Sequence, residues 1–261
     1  MTMLALESLS IEFGGIAAVS DVNMAVQEGE LVGLIGPNGA GKTTIFNIIT
    51  GVYKPGAGSV IYKDKEGNSI SLTGKKPYEV TSLGIARTFQ NIRLFKNMTV
   101  LDNVRIAMNL SVRYGLFPAV FHLGKYGAEE KRLVKDAEAL LDIFNLSGKQ
   151  NELAKNLPYG EQRRLEIVRA LATNPRLLLL DEPAAGMNPA ETSALAESIQ
   201  KLQKDFDLAI LLIEHDMSLV MKICKKIYVL DYGYIIAEGT PDDVKNDKKV
   251  IEAYLGEESV V

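Results

Sequence analysis

"GPNGAGKTT", residues 36–44, closes one apolar run and opens a helix. The run is "GELVGLIG", 29–36, which reads as a buried strand. The helix is expected from Lys42 to about Thr50, stopped by Gly51. The stretch fits G-x-x-x-x-G-K-[ST] through Gly36, Gly41, Lys42 and Thr43, in the strand–loop–helix setting that the pattern needs. Its glycines let the loop Gly36, Pro37, Asn38, Gly39, Ala40, Gly41, Lys42, Thr43, Thr44 curl until its N–H groups share one concavity. The helix start adds the positive end of a dipole. Lys42 reaches the β and γ phosphates of a bound nucleotide, and the Thr43 hydroxyl is placed to ligate Mg²⁺.

Two further apolar runs extend the pattern. "RLLLLDEP", 176–183, reads as a second buried strand ending in two adjacent carboxylates, Asp181 and Glu182. Asp181 suits a Mg²⁺ shell, and Glu182 suits the orientation or deprotonation of an attacking water. "LAILLIEH", 208–215, puts His215 just past a third strand. Taken singly, His215 reads equally as a packed or exposed histidine, and Gln90 in "RTFQ" is as uninformative alone. Residues 3–13 and 22–26 are expected as strands, as are "SVIYKD" and "NSISL" around Gly67-Asn68. "KIYVLDYGYIIAEG", 226–239, reads as two strands about a tight turn. Helices are expected within 100–145, over 160–173 and over 190–204, with a polar helical tail from about Asp242. Alternating strands and helices predict an α/β layer fold with a largely parallel sheet.

The chain has 261 residues, enough for one domain with a subdomain. Its net charge of −4 disfavours a nucleic-acid binder, which is usually basic. The single cysteine, Cys224, excludes an intramolecular disulfide and suits a reducing compartment. No basic n-region of a signal peptide opens the chain, and no apolar run reaches the ~18 residues of a membrane span. A membrane role would therefore run through a partner.

These pieces, in this order, resemble the nucleotide-binding subunit of ATP-binding cassette (ABC) transporters over nearly the whole chain. The resemblance implies a P-loop ATPase with a parallel sheet core, an antiparallel β layer and a helical subdomain. Residues 1–91 and 158–240 would form the ATP-binding core, 92–157 the subdomain and 241–261 a C-terminal tail. Residues 36–44 resemble the Walker A loop, and Asp181 with Glu182 the Walker B acid and catalytic glutamate. Gln90 resembles the Q-loop glutamine, a Mg²⁺ and γ-phosphate sensor. His215 resembles the switch histidine. Phe13 resembles the aromatic that stacks on adenine, with a core phenylalanine as the alternative.

"LPYGE", 157–161, occupies the place of the family's Leu-Ser-Gly-Gly-Gln signature, which caps the ATP of a second cassette. Pro158 replaces serine, Tyr159 replaces a glycine and Glu161 replaces glutamine, while Gly160 is kept. The expected consequences are a proline in the first helical turn, a crowded approach and extra negative charge beside an anion. Asn188 stands where the family usually has a D-loop aspartate, which puts coupling between the two ATP sites in doubt. The intact Walker, glutamine and histidine positions beside an altered signature favour pairing with a sister cassette; pairing with an identical chain is the alternative.

"YGEQRRLEIVRAL", "GMNPAE" and "IEAYLGEE" look most like the cassette of branched-chain amino acid importers. The resemblance implies ATP and Mg²⁺ as cofactors and a peripheral place on the cytoplasmic face of the membrane. It implies two transmembrane permease subunits and, indirectly, an external solute-binding protein, with no nucleic acid. Urea, amide and lipopolysaccharide cassettes and soluble ABC ATPases are the alternatives, and the fold does not choose among them. A GTPase is disfavoured by the lack of an [NT]-K-x-D segment. "NIRLFKNMTVLDNV" after Gln90 is the expected surface for transmission to the permeases. The aromatic stretch "VRYGLFPAVFH" fits either that contact or a subdomain core.

Overall fold

The structure, a computed structural model, describes residues 1–108 and 125–258. The aromatic stretch 112–122 lies outside the described residues. The chain opens as a long hairpin, β1 (Thr2–Phe13) and β2 (Ile16–Gln27), paired antiparallel up to the pair Phe13↔Ile16. The second strand thus starts well before the expected residue 22. "IAAVSDV" has too few large apolar residues to show a period of two, and pairing with β1 extends it to the turn.

β3 (Leu31–Ile35) leads through the phosphate-loop sequence into α1 (Lys42–Ile49). β4 (Ala57–Lys63) and β5 (Ser69–Ser71) then complete a four-stranded antiparallel sheet in the order β2-β1-β4-β5. A short helix, α2 (Pro77–Ser82), and a three-residue strand, β6 (Ile85–Arg87), follow; neither was expected from the sequence.

Among the described residues, three α-helices come next: α3 (Val100–Met108), α4 (Lys125–Ile143) and α5 (Tyr159–Leu171). The remaining elements alternate: β7 (Leu177–Asp181), α6 (Pro189–Asp205), β8 (Ala209–Ile213), α7 (Met217–Ile223), β9 (Lys226–Asp231), β10 (Tyr234–Gly239) and two terminal helices, α8 (Pro241–Lys245) and α9 (Lys248–Glu258). The second sheet has the order β10-β9-β3-β8-β7-β6 and is parallel except for β10.

Every residue of β3, β7 and β8 is buried, as a parallel sheet covered on both faces requires. Alternation along β7 divides the interior. Leu177 and Leu179 join a core shared with the antiparallel sheet and α1, whereas Leu178 and Leu180 join one shared with the helices. Val104, Leu141, Phe144 and Leu165 tie α3, α4 and α5 into that second core. Among the described residues, no helix is long and apolar enough to cross a membrane. The topology brings the ends of β3, β6, β7 and β8 to one edge, where open α/β sheets hold ligands.

Candidate functional site

The loop between β3 and α1 has little freedom of sequence. Gly36 has φ 148°, and a Cβ there would fall 1.9 Å from the Leu230 carbonyl oxygen. Gly41 has φ 108°, and its Cβ would meet the Ala18 carbonyl at 2.4 Å. Any side chain at either position displaces backbone of a neighbouring strand. The Ala40 carbonyl accepts from Gly233 N at 3.0 Å, which fixes the loop to the β9–β10 turn. Lys42 is buried, its Nζ donating to the carbonyls of Gly36 at 2.6 Å and Pro37 at 2.7 Å. The α1 N-terminus carries no acidic residue in its first turn, so its N–H groups and the helix dipole keep their attraction for an anion. Thr43 is exposed and Thr44 half-buried.

Glu182, one residue past β7, has φ 49°, unusual for a non-glycine residue. Its N–H donates to the Ile213 carbonyl at 2.9 Å, which extends the β7–β8 ladder into the turn. Gln90 Nε2 donates to Glu182 Oε2 at 2.9 Å. His215 Nε2 lies 2.7 Å from Glu182 Oε1, which places a proton on that nitrogen. Gln90 and His215, far apart in the chain, thus meet on the Glu182 carboxylate.

Asp181 is buried and engaged differently from the expectation. Its Oδ2 pairs with Arg87 Nη2 at 2.7 Å, with both side chains almost wholly buried. Arg87 also donates to Asn47 Oδ1 at 2.8 Å and lies over the rings of Phe46 and Phe89. The second oxygen of Asp181, the Thr43 hydroxyl and the Gln90 amide oxygen are hard donors of the type Mg²⁺ takes. Among the described residues, no group of three or more His, Cys, Asp or Glu could hold a metal ion. Mg²⁺ is commonly held by one or two protein groups together with phosphate oxygens. The donor set fits the ion.

The segment 157–161 reaches the start of α5. Pro158 is the N-cap, with ψ 153°, rather than a residue of the first turn as expected. It leaves the helix undisturbed: the N–H groups of Glu161 and Gln162 both reach its carbonyl at 3.0 Å. The Tyr159 ring lies against Gly186, where a Cβ would be 3.1 Å from the ring, and its hydroxyl accepts from Arg163 Nε at 3.2 Å. The crowding expected of Tyr159 is thus directed partly onto its own chain. The extra charge expected of Glu161 is balanced in place: Lys149 Nζ donates to its two oxygens at 2.8 and 2.7 Å, and Arg164 lies 3.8 Å away. Gly160 is buried beside the Glu191 carboxylate. Asn188 caps α6, its Oδ1 accepting from Glu191 N at 3.0 Å, while the Glu191 carboxylate accepts from Asn188 N. Asparagine and aspartate cap equally well, so the local turn does not depend on the difference.

Phe13, at the end of β1, is 42% exposed, which excludes the core alternative. It makes an edge-to-face contact with Tyr53 at 5.1 Å between centroids. Sequence reading missed Tyr53, Arg87 and Arg163. Arg163, on α5, donates to the Phe89 carbonyl at 2.8 Å and to the Gln90 carbonyl, joining the backbone of the glutamine segment to Tyr159. The one usable signal was the cluster "RRLE", 163–166, in which three charges among four residues cannot all face water on a packed helix. Arg163 and Glu166 are both buried. Burial pushes the Glu166 carboxyl above its ordinary value, while Arg93 N–H and the Arg163 guanidinium pull it back.

Residues 19–185 match the family model described as ABC transporter, and residues 235–260 match that described as branched-chain amino acid ATP-binding cassette transporter. The high-affinity branched-chain amino acid transport ATP-binding protein LivG of Escherichia coli is 44% identical over 255 residues, 98% of each chain. The solved structure of the ADP conformation of MJ1267, an ATP-binding cassette of an ABC transporter, superposes with a TM-score of 0.83 at 33% identity, over 98% of this chain and 99% of that one. The dimeric structure of the cassette MJ0796 bound to ADP and Pi gives a TM-score of 0.75 at 26% identity, over 92% and 99%.

Proposed function

The chain belongs to the ABC transporter family, and from that membership we propose that it is the ATP-hydrolysing subunit that powers import of branched-chain amino acids. The observation that carries the solute class is the end-to-end likeness to LivG, with the matching C-terminal segment 235–260 in support. The ATPase reading draws on the convergence of Gln90 and His215 on Glu182.

In the proposed mechanism, Phe13 stacks on adenine and the amides of residues 36–44 hold the phosphates. Lys42 exchanges the Gly36 and Pro37 carbonyls for the β and γ phosphate oxygens. Bound Mg²⁺ supplies neutralising charge; Thr43, Gln90 and Asp181 are the residues that would hold it, Asp181 through its free oxygen or a water. Glu182 takes a proton from the attacking water as that oxygen bonds to the γ-phosphorus and the bond to the bridging oxygen breaks, giving ADP and phosphate. Both Glu182 oxygens are engaged in this structure, so one contact must open first. His215 then offers its ring proton to the charge that develops.

A second cassette completes the site by bringing the segment Pro158, Tyr159, Gly160 and Glu161 of one subunit over the ATP of the other. Residues 92–157 act as the helical subdomain between the core, 1–91 and 158–240, and two permeases at the cytoplasmic face. Phe95 and Ile106 are both exposed beside Arg93 in a groove between this subdomain and the core, which suits a permease segment. Such a system takes its solute from an external binding protein.

The test is uptake of labelled leucine by cells in which this chain is replaced by Glu182→Gln. The expected result is loss of uptake, with a fall of about 10²- to 10⁴-fold in ATPase turnover of the purified protein and retained ATP binding. Leucine uptake at the original rate despite lost turnover would remove the solute assignment, and normal turnover would remove Glu182 as the base.

A further inference from the structure

Glu214 is buried, 3% exposed, and has no part in the mechanism above. It directly follows β8 and lies between two loops that carry proposed catalytic groups. Its Oε1 accepts from Ala184 N at 2.7 Å, two residues after Glu182. Its Oε2 accepts from His215 N at 2.9 Å and Asp216 N at 3.3 Å. Among the described residues, no cation pairs with it. Three amides carry its charge, and burial pushes its carboxyl up while those amides pull it down.

The position explains the arrangement. Strand pairing between β7 and β8 ends at Asp181↔Ile213, and one more backbone bond, Glu182 N to the Ile213 carbonyl, follows it. Among the described residues, no further backbone hydrogen bond joins the two loops beyond that point. The Glu214 side chain supplies the missing rung. A carboxylate suits this place because both of its oxygens accept, whereas an amide or hydroxyl would offer a donor to one of the N–H groups.

We propose that Glu214 is the positioning residue that locks the loop of Glu182 to the loop of His215, so that base and imidazole meet at the γ-phosphate. This rests on the roles given to Glu182 and His215 above.

The test compares the full-length Glu214→Gln and Glu182→Gln variants with wild type. Glu214→Gln keeps the size but has one acceptor, so one loop is released. Affinity for a fluorescent ATP analogue should stay within about twofold, while kcat falls about 10- to 100-fold at unchanged KM, the scale of a small misplacement. The chain has two histidines, so the His215 ring signals are assignable by NMR against His122. They should move toward their positions in Glu182→Gln. A kcat within twofold of wild type, unmoved His215 signals, or equal losses of affinity and kcat would each overturn the proposal. Wild type supplies a measurement independent of folding in the variants: the Ala184, His215 and Asp216 amides should exchange slowly and together. Exchange of Ala184 at an unprotected rate would also overturn it. Normal turnover by Glu182→Gln would instead remove the assigned base, a separate failure.

Discussion

Replacing Arg87 by methionine tests the least expected contact at the site. The Arg87 and Asp181 side chains are 5% and 3% exposed and pair at 2.7 Å. Removing one member of such a pair leaves a buried carboxylate without its cation and costs about 3–5 kcal/mol. The hydrogen bond to Asn47 and the stacking on Phe46 and Phe89 are lost as well. Methionine keeps much of the apolar volume, so the cost is chiefly electrostatic. For a chain of this size, each 1 kcal/mol lowers the melting midpoint by about 2–4 °C, so Arg87→Met should fall by about 6–20 °C. Asp181→Asn alone should also destabilise, because Arg87 is then the stranded charge. Combining the two should cost less than their sum, by about 2–3 kcal/mol. The assay is urea denaturation of the four proteins without nucleotide. A single-variant cost below about 1 kcal/mol, or additive costs, would mean that the pair carries no more than a surface ion pair does and that the buried contact is misread.

Arg93→Glu should leave ATP binding intact and uncouple transport, because Arg93 lies over the Phe89 ring and beside the groove rather than at the phosphates; normal solute uptake would count against a coupling surface there. Burial pushes the Cys224 thiol up to about 12, so the native protein should resist iodoacetamide at pH ~8 and label only as it unfolds; rapid labelling of the native state would contradict the packing of α7. Asp216 caps α7 by accepting from Ser218 N and Leu219 N, and Asp216→Ala should cost about 1 kcal/mol. The Ser218 hydroxyl holds the Asp216 carboxyl below its ordinary value, so this contribution is complete above pH ~4 and is lost as pH falls through the lowered value; a wild-type advantage that grew on acidification would reverse the assignment.

The sheet was legible where burial left no choice of residue. "LVGLI", "LLLLD" and "AILLI" are continuous apolar runs because both of their faces are covered, and each became a strand. β6 was not legible. Three residues carry no periodicity, and "IAR" is a strand only because it pairs with Leu177–Leu179 of β7. At the site, local pattern found the loop of residues 36–44, since its spacing is its chemistry. It could not find Arg87 or Glu214. The partners of Arg87 are 94 and 40 residues away, and Glu214 reaches Ala184 over 30 residues, so no window of sequence contains either contact. Pro158 was placed one position too far into its helix, because proline is tolerated on both sides of that boundary and the cap geometry decides.

Lys149 offers the sharpest question about the altered segment 157–161. Glu161 would repel a γ-phosphate brought over it by a second subunit, yet Lys149 holds both of its oxygens from a site 12 residues earlier in the same chain. The pair is partly exposed, 37% and 19%, so its strength is at most about 1 kcal/mol in physiological salt. Lys149→Ala would leave both copies of Glu161 in a symmetric dimer unbalanced and should weaken ATP-driven association, with the difference shrinking as salt is raised. Sedimentation of Glu182→Gln with ATP and Mg²⁺, with and without Lys149→Ala, measures this directly. Association of Glu182→Gln alone that Lys149→Ala weakens would mean that the substituted segment closes on an identical phosphate loop because its charge is balanced within its own chain. A protein that stays monomeric with ATP and associates only with a sister cassette would mean that balancing Glu161 is not enough. Tyr159, resting on Gly186, would then be the residue that selects the partner.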